Sequence, residues 1–246
     1  MSNSKGFVIK SIKNGETSII LSCYLEEIGL KSFIVKGVYG TKKSKFSKAH
    51  FFPLNLININ FSPSKSNRLS YVKEIKPLIL YKNLHSSIEK STIIIFLSEI
   101  LASVFREESE QNQNLFNFLE KSIIWFDDQD SCNNFHIKFL IELTRYIGFY
   151  PNISQETDNY FNLESGSSSY EKPLSKYIDT KDFKIFKEML GMKFEDLNYI
   201  DMNNKSRSRL LNYLIEYYSL HLQMFKDRKS TRLNSSHQII SYAVFC

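Results

Sequence analysis

Apolar positions change their spacing along the chain, and the change divides it in two. Up to about residue 80 the pattern is short and β-like. Residues 6–12 alternate loosely, and Asn14-Gly15 is a strong hairpin signal. Residues 17–24 (Thr-Ser-Ile-Ile-Leu-Ser-Cys-Tyr) are apolar and rich in β-formers. Gly29 punctuates, residues 31–38 alternate, and a polar loop covers residues 40–48. Residues 51–61, broken by Pro53, and residues 69–75 complete about five expected strands with frequent turn signals. Five short strands in 80 residues fit a small barrel. An OB-type barrel suits the length, although an SH3-like barrel shares the pattern.

Beyond residue 80 the spacing becomes helical. Ser86-Ser87-Ile88-Glu89 reads as a capping box that opens a helix carrying Ile93, Phe96, Leu97, Ile100, Leu101, Val104 and Phe105 on an apolar stripe. A second helix is expected over residues 114–126. A third, over 131–147, is apolar nearly all round and should be central. Gly148 and Pro151 end it. Residues 150–175 are polar and serine-rich, which suits a loop or hairpin. Asp179 is placed to cap a helix reaching Leu190, and a last helix carries Leu210, Leu211, Leu214, Tyr217, Tyr218, His221 and Leu222. The expected class is therefore α+β: a barrel over residues 1–80, then an all-helical domain over 81–226. Residues 227–246 resemble the translation of a sequencing-library adapter (DRKSTRLNSSH, two variable residues, ISYAVFC). They are expected to be foreign, with the natural end of the last helix missing, and are excluded from the fold.

Composition sharpens this picture. With 42% apolar and 14% aromatic residues, 8 Gly and 5 Pro, the chain is neither disordered nor fibrous. Three cysteines in 246 residues exclude a disulfide framework and suit a reducing compartment. The start of the chain shows no signal-peptide pattern, and a cytoplasmic location is expected.

Charge changes the picture most. Residues 1–80 hold 13 Lys and Arg against 4 Glu and no Asp, a balance of +9. Residues 81–226 hold 16 basic and 21 acidic residues, a balance of −5, and the final segment adds +2 to reach the formal +6. A basic module beside an acidic one attracts a polyanion to one end of the chain.

Catalytic signatures do not appear. GxxxxGK(S/T), GxGxxG, GxSxG and HExxH are all missing. The acidic pairs Asp127-Asp128, Glu107-Glu108 and Glu26-Glu27 fall at expected helix ends or turns, where solvated charge is their ordinary explanation. His50, His85, His136 and His221 stand apart from one another and from Cys23 and Cys132, without metal-ligand spacing. Cys132 opens an expected helix, where a thiol pKa falls, but both cysteines read as inert. No cofactor is expected.

The best candidate site is the lysine-rich loop. Lys36, Lys42, Lys43, Lys45 and Lys48 are interleaved with Tyr39 and Phe46. Cationic side chains among aromatic platforms are what single-strand binders use. Gly37 and Gly40 let backbone approach a phosphate. A solvated hairpin tip would also carry lysines as edge protection, and the +9 balance favours nucleic acid. An adaptor whose barrel binds RNA or an acidic peptide is the alternative. A hydrolase using Asp127 or Asp128 is a third reading.

Several short motifs then resemble, in order and spacing, the RecO family of bacterial DNA repair proteins in its Bacteroidetes form. They are Val35-Lys-Gly-Val38 with the lysine loop, Phe52-Pro-Leu54, Leu84-His85, Leu97-Ser-Glu-Ile-Leu101, and Leu115-Phe-Asn-Phe-Leu119 with Trp125 and Asp127. Further on come Asn134-Phe-His136, Leu140, Leu143-Thr144, Gly148-Phe-Tyr-Pro151, Tyr160-Phe-Asn-Leu-Glu-Ser-Gly166 and His221-Leu222. The resemblance spans about residues 5–226. It implies an N-terminal OB-fold and a helical C-terminal domain that bind single- and double-stranded DNA, anneal strands and assist recombinase loading, in a cytoplasmic, nucleoid-associated protein. It implies RecR, RecF and single-strand DNA-binding protein as partners. Many relatives carry a four-cysteine zinc ribbon after the Gly-Phe-Tyr-Pro segment. Residues 151–170 here contain no cysteine, so a metal-free hairpin is expected. Relatives often have arginine at the position of Tyr39, so stacking by Tyr39 rests on the residue itself and not on the resemblance.

Overall fold

The computed structural model describes residues 2–39, 45–62, 69–130 and 134–226. Lys42, Lys43, Gly40, Cys132 and the adapter-like segment lie outside them. Two compact units divide the chain after Asp128.

In the first unit five strands close a barrel: β1 (Ser2–Asn14), β2 (Ser18–Leu25), β3 (Gly29–Val35), β4 (Leu56–Ser62) and β5 (Ser70–Pro77), in the order β1-β2-β3-β5-β4. The β1–β2 and β2–β3 pairs are antiparallel hairpins. Closure depends on a two-residue parallel pairing of Phe33 with Ser70 and Ile34 with Tyr71. Alternation puts Leu21, Cys23, Phe33, Val35, Ile57, Ile59 and Phe61 inside. Cys23 is buried there, and burial pushes its thiol pKa far above the ordinary value, so it is inert. The expected strand over residues 51–61 starts late. Lys48–Phe51 form a 3-10 turn, and Leu54 sits at φ 57°. A buried leucine in the left-handed region is strained backbone. It is held because Leu54 donates its N–H to Val8 and accepts from the Tyr81 hydroxyl.

Helices α1 (Ile88–Glu107) and α2 (Gln113–Asp128) belong to the same unit. The cap of α1 is one residue later than the expected box. Ser87 Oγ accepts from Lys90 N, while Ser86 Oγ instead donates to the carbonyls of Lys82 and Asn83. Tyr24 on β2 stacks on Phe105, with centroids 3.9 Å apart, and its hydroxyl bonds the backbone of Glu110 and Asn112. The loop after α1 lies directly on the β2–β3 turn, where Leu30 N donates to Ser109 O. Gly29 is at φ 82°, and a Cβ there would stand 2.1 Å from Ser109 O. Gly29→Ala meets both a forbidden φ and a backbone clash, so it is expected to cost at least about 2 kcal/mol in chemical denaturation. A loss below about 0.5 kcal/mol would mean the loop does not seat there.

The second unit is built on α3 (Phe135–Tyr146), with α4 (Thr180–Gly191) and α5 (Asn204–His221). As its all-round apolar pattern predicts, α3 is buried along most of its length. His136 is fully buried, and desolvation lowers its pKa to about 3, so it is a neutral core residue. Lys138 is buried and donates to Glu142 and the Met189 carbonyl. Asp179 caps α4 as expected, and the buried carboxylate of Asp182 is clasped by Arg209. Residues 160–178 form a small sheet, β7-β6-β8, from β6 (Tyr160–Asn162), β7 (Ser167–Ser169) and β8 (Tyr177–Ile178). The loop leading into β6 is pinned by the Asp158 carboxylate, which accepts from Gln155 N and Ser168 Oγ. Among the described residues no group of three His, Cys, Asp or Glu is placed to hold a metal ion. No described helix is long and apolar enough to cross a membrane.

Candidate nucleic-acid interface

The hairpins give the barrel two chemically different ends. At one end the β2–β3 turn carries Glu26 and Glu27, and the loop seated on it carries Glu108 and Glu110. Gln113 donates to Glu26 there. At the other end lie the β1–β2 turn and the exit of β3, tied together by the pairing of Ile19 with Val35 and by bonds from Val38 N and Tyr39 N to Thr17 O. Lys13 and Lys36 emerge at this end, and Glu16 is its acidic exception.

The lysines gather on aromatic rings. Lys13 Nζ lies 5.7 Å and Lys48 Nζ 5.2 Å from the Tyr39 centroid. Lys36 Nζ lies 4.5 Å from the Tyr71 centroid. Tyr39 and Tyr71 are 37% and 46% exposed, so each ring keeps surface available to a ligand. Lys45 is drawn to β5, where its Nζ donates to Lys73 O at 2.7 Å. Among the described residues, Lys13, Lys36, Lys45 and Lys48 have no carboxylate partner. Lys5 and Lys76, in contrast, are paired with Glu120 and Glu74.

Four of the six expected site residues are described, and Lys36, Tyr39 and Lys48 fall into these two lysine–tyrosine centres. Phe46 is a correction. Its ring is buried in the barrel core beside Phe51 and is no stacking platform. The barrel needs an apolar plug where the 3-10 turn crosses it, and Phe46 and Phe51 supply one. Sequence reasoning missed Lys13 and Tyr71. Both lie in strands, away from the lysine loop, and only the closure of β5 onto β3 brings Tyr71 beside Lys36.

Asp127 is a second correction. It is not a solvated helix end but is 5% exposed. Its oxygens accept from the backbone N–H of Lys82, Asn83 and Leu84 at 2.7–2.9 Å. A buried carboxylate that accepts from three consecutive backbone N–H groups holds a loop in place, so Asp127 is a structural clasp. Asp128 is the solvated one, paired with Lys82 at the surface.

Comparison with known proteins agrees with this architecture. Residues 1–81 match the family described as Recombination protein O N terminal, and residues 85–231 match Recombination protein O C terminal. The chain is 37% identical over 227 residues to the DNA repair protein RecO of Flavobacterium psychrophilum, covering 92% of this chain and 94% of that one. It is 36% identical to RecO of Flavobacterium johnsoniae with the same coverage. For RecO of Bacteroides fragilis the identity is 34% over 229 residues, again 92% of this chain and 94% of the relative. With both halves matched in order and these relatives aligned almost end to end, the chain belongs to the RecO family.

Proposed function

We propose that this chain is a DNA-binding mediator of recombinational repair that works without covalent chemistry. It would bind single- and double-stranded DNA, anneal complementary strands, and assist recombinase loading together with RecR, RecF and single-strand DNA-binding protein, the partners that family membership implies. The observation that carries the reading is the segregation of charge within the first unit, where lysines without acidic partners meet exposed tyrosines at one barrel end. Annealing is limited by repulsion between two phosphate backbones. Ammonium groups that neutralise both strands lower that barrier and leave base pairing to proceed. Neither a bond-breaking step nor a cofactor is needed.

The test is binding of the full chain to oligo-dT across a salt series, with annealing of complementary oligonucleotides in parallel. Four to six phosphate contacts predict a log–log slope of roughly −3 to −4 for single strands. Annealing should proceed without nucleotide. Affinity that ignores salt, or that is higher for an acidic peptide than for DNA, would refute the reading.

A further inference from the structure

A buried amide ties the turn that carries Lys48 to the connector that leads into α1. Residues 47–49 run with exposed side chains between the buried rings of Phe46 and Phe51. No apolar side chain of their own anchors them, yet Lys48 among them is one of the cations over Tyr39. Asn55 lies past this turn, just before β4, and is 9% exposed. Its Nδ2 donates to Ala49 O at 2.6 Å, and its Oδ1 accepts from His85 Nε2 at 2.7 Å. The partners leave one arrangement. A carbonyl only accepts, so the NH2 end faces Ala49, the oxygen faces His85, and His85 carries a proton on Nε2. The Asn55 backbone is fixed as well, since its N–H donates to Phe52 O and its carbonyl accepts from Val8 N. The His85 ring packs against Phe52 at 5.2 Å and Tyr81 at 5.9 Å, and Asp127 grips the backbone one residue earlier.

We infer that Asn55 is a positioning residue for nucleic-acid binding: its amide holds the turn so that the Lys48 ammonium stands over Tyr39, and His85 locks the amide in the orientation that does so. The inference rests on the DNA-binding reading above and deepens it by naming what places one of its lysines. A lysine on a loose turn must be ordered by the ligand, and that ordering is subtracted from affinity. A turn fixed beforehand removes the backbone share of the cost. The tether has to be polar because residues 47–49 offer only backbone to hold, and a buried amide is the group that can grip a carbonyl there. Neither tether residue can neutralise a phosphate itself. Asn55 is neutral and buried, and burial lowers the His85 pKa, against a smaller opposing effect of Asp127, which leaves the imidazole uncharged near pH 7. Any effect of either residue on the salt dependence of binding therefore acts through another group. An amide that only satisfied the turn would change stability and leave that dependence alone.

The test is a double-mutant cycle in the full chain, read by fluorescence anisotropy on oligo-dT across a salt series, at a temperature where circular dichroism shows the variants folded. Lys48→Ala removes one phosphate contact, so it should weaken binding about fivefold at low salt and flatten the log–log slope by about 0.7. Asn55→Leu, which fills a similar volume without the amide, should reproduce both changes. The double variant should bind no more weakly than either single one, because the two substitutions remove the same contact. His85→Phe keeps a ring against Phe52 and Tyr81 but loses the donor. It should give a smaller loss in the same direction, and none in the Lys48→Ala background. His85→Gln, which presents an N–H donor at similar reach, should restore the parent's affinity and slope. If Asn55→Leu did not fold, the two His85 variants in both backgrounds would decide alone. Losses that add in the double variants, a slope that neither Asn55→Leu nor His85→Phe changes, or a Lys48→Ala chain that binds like the parent would overturn the inference. A parent chain that bound no oligo-dT at all would bring down the DNA-binding reading itself, and the inference with it.

Discussion

Replacing Lys13, Lys36 and Lys48 together with glutamate is expected to lower affinity for oligo-dT by about a hundredfold or more at low salt. The three amines stand over the rings of Tyr39 and Tyr71. They come from three separate segments: β1, the exit of β3, and the 3-10 turn before β4. A cation over an aromatic face contributes at most about 1 kcal/mol to stability at exposed sites, so the fold should survive. The same cation beside a phosphate contributes through counterion release. Removing three such contacts should flatten the single-strand salt slope by about 2. Duplex binding should weaken in parallel, because backbone contacts do not read base faces. The measurement is anisotropy across a salt series with circular dichroism as the folding control. Unchanged affinity and slope would move the interface to another part of the chain.

The barrel and its helices were legible because spacing changes from two to about 3.6 near residue 80, and turn residues such as Asn14-Gly15 and Gly29 mark the strand ends. Position 54 was not legible. Leu54 takes a left-handed φ that no propensity foresees, and it does so because bonds to Val8 and Tyr81 over-determine the turn. The site was half legible. A lysine cluster is visible in a sequence, but whether an aromatic within it faces solvent depends on closure, which buried Phe46 and exposed Tyr71. The motifs behind the family resemblance teach a related lesson. Phe52-Pro-Leu54, Leu84-His85 and Asp127 converge on the junction between the barrel and α1. His85 Nε2 bonds Asn55 Oδ1, its ring lies 5.2 Å from that of Phe52, and Asp127 holds the backbone of Leu84. These motifs report scaffold and lie apart from the proposed lysine–tyrosine interface.

That junction gives the second large effect. Asp127→Ala is expected to destabilise the first unit by about 3 kcal/mol or more. Residues 82–84 belong to neither strand nor helix, so their N–H groups have no ladder or helical turn to donate to. Asp127 satisfies all three with one carboxylate, and α2 brings it there by ending at Asp128. The return tie is Lys90, 5% exposed, whose Nζ donates to the carbonyls of Phe126 and Asp127 at 2.8 Å each. Hydrogen bonds to a charged acceptor contribute about 1.5–3 kcal/mol each, and donors left unsatisfied in a buried place cost a similar amount. Part of the loss is recovered as water enters, which brings the expected total below the sum of the three bonds. For a unit of this size the unfolding midpoint should fall by about 10 °C. Asp127→Asn retains one acceptor oxygen but turns an amide NH2 toward a backbone donor, so it should fall between the parent and Asp127→Ala. Lys90→Met, which removes the return tie and keeps the aliphatic stem, should also lower the midpoint. If Asp127→Ala kept the parent's midpoint while abolishing turnover of a nucleotide or ester, the carboxylate would be chemical rather than structural, and the clasp described above would have to be abandoned.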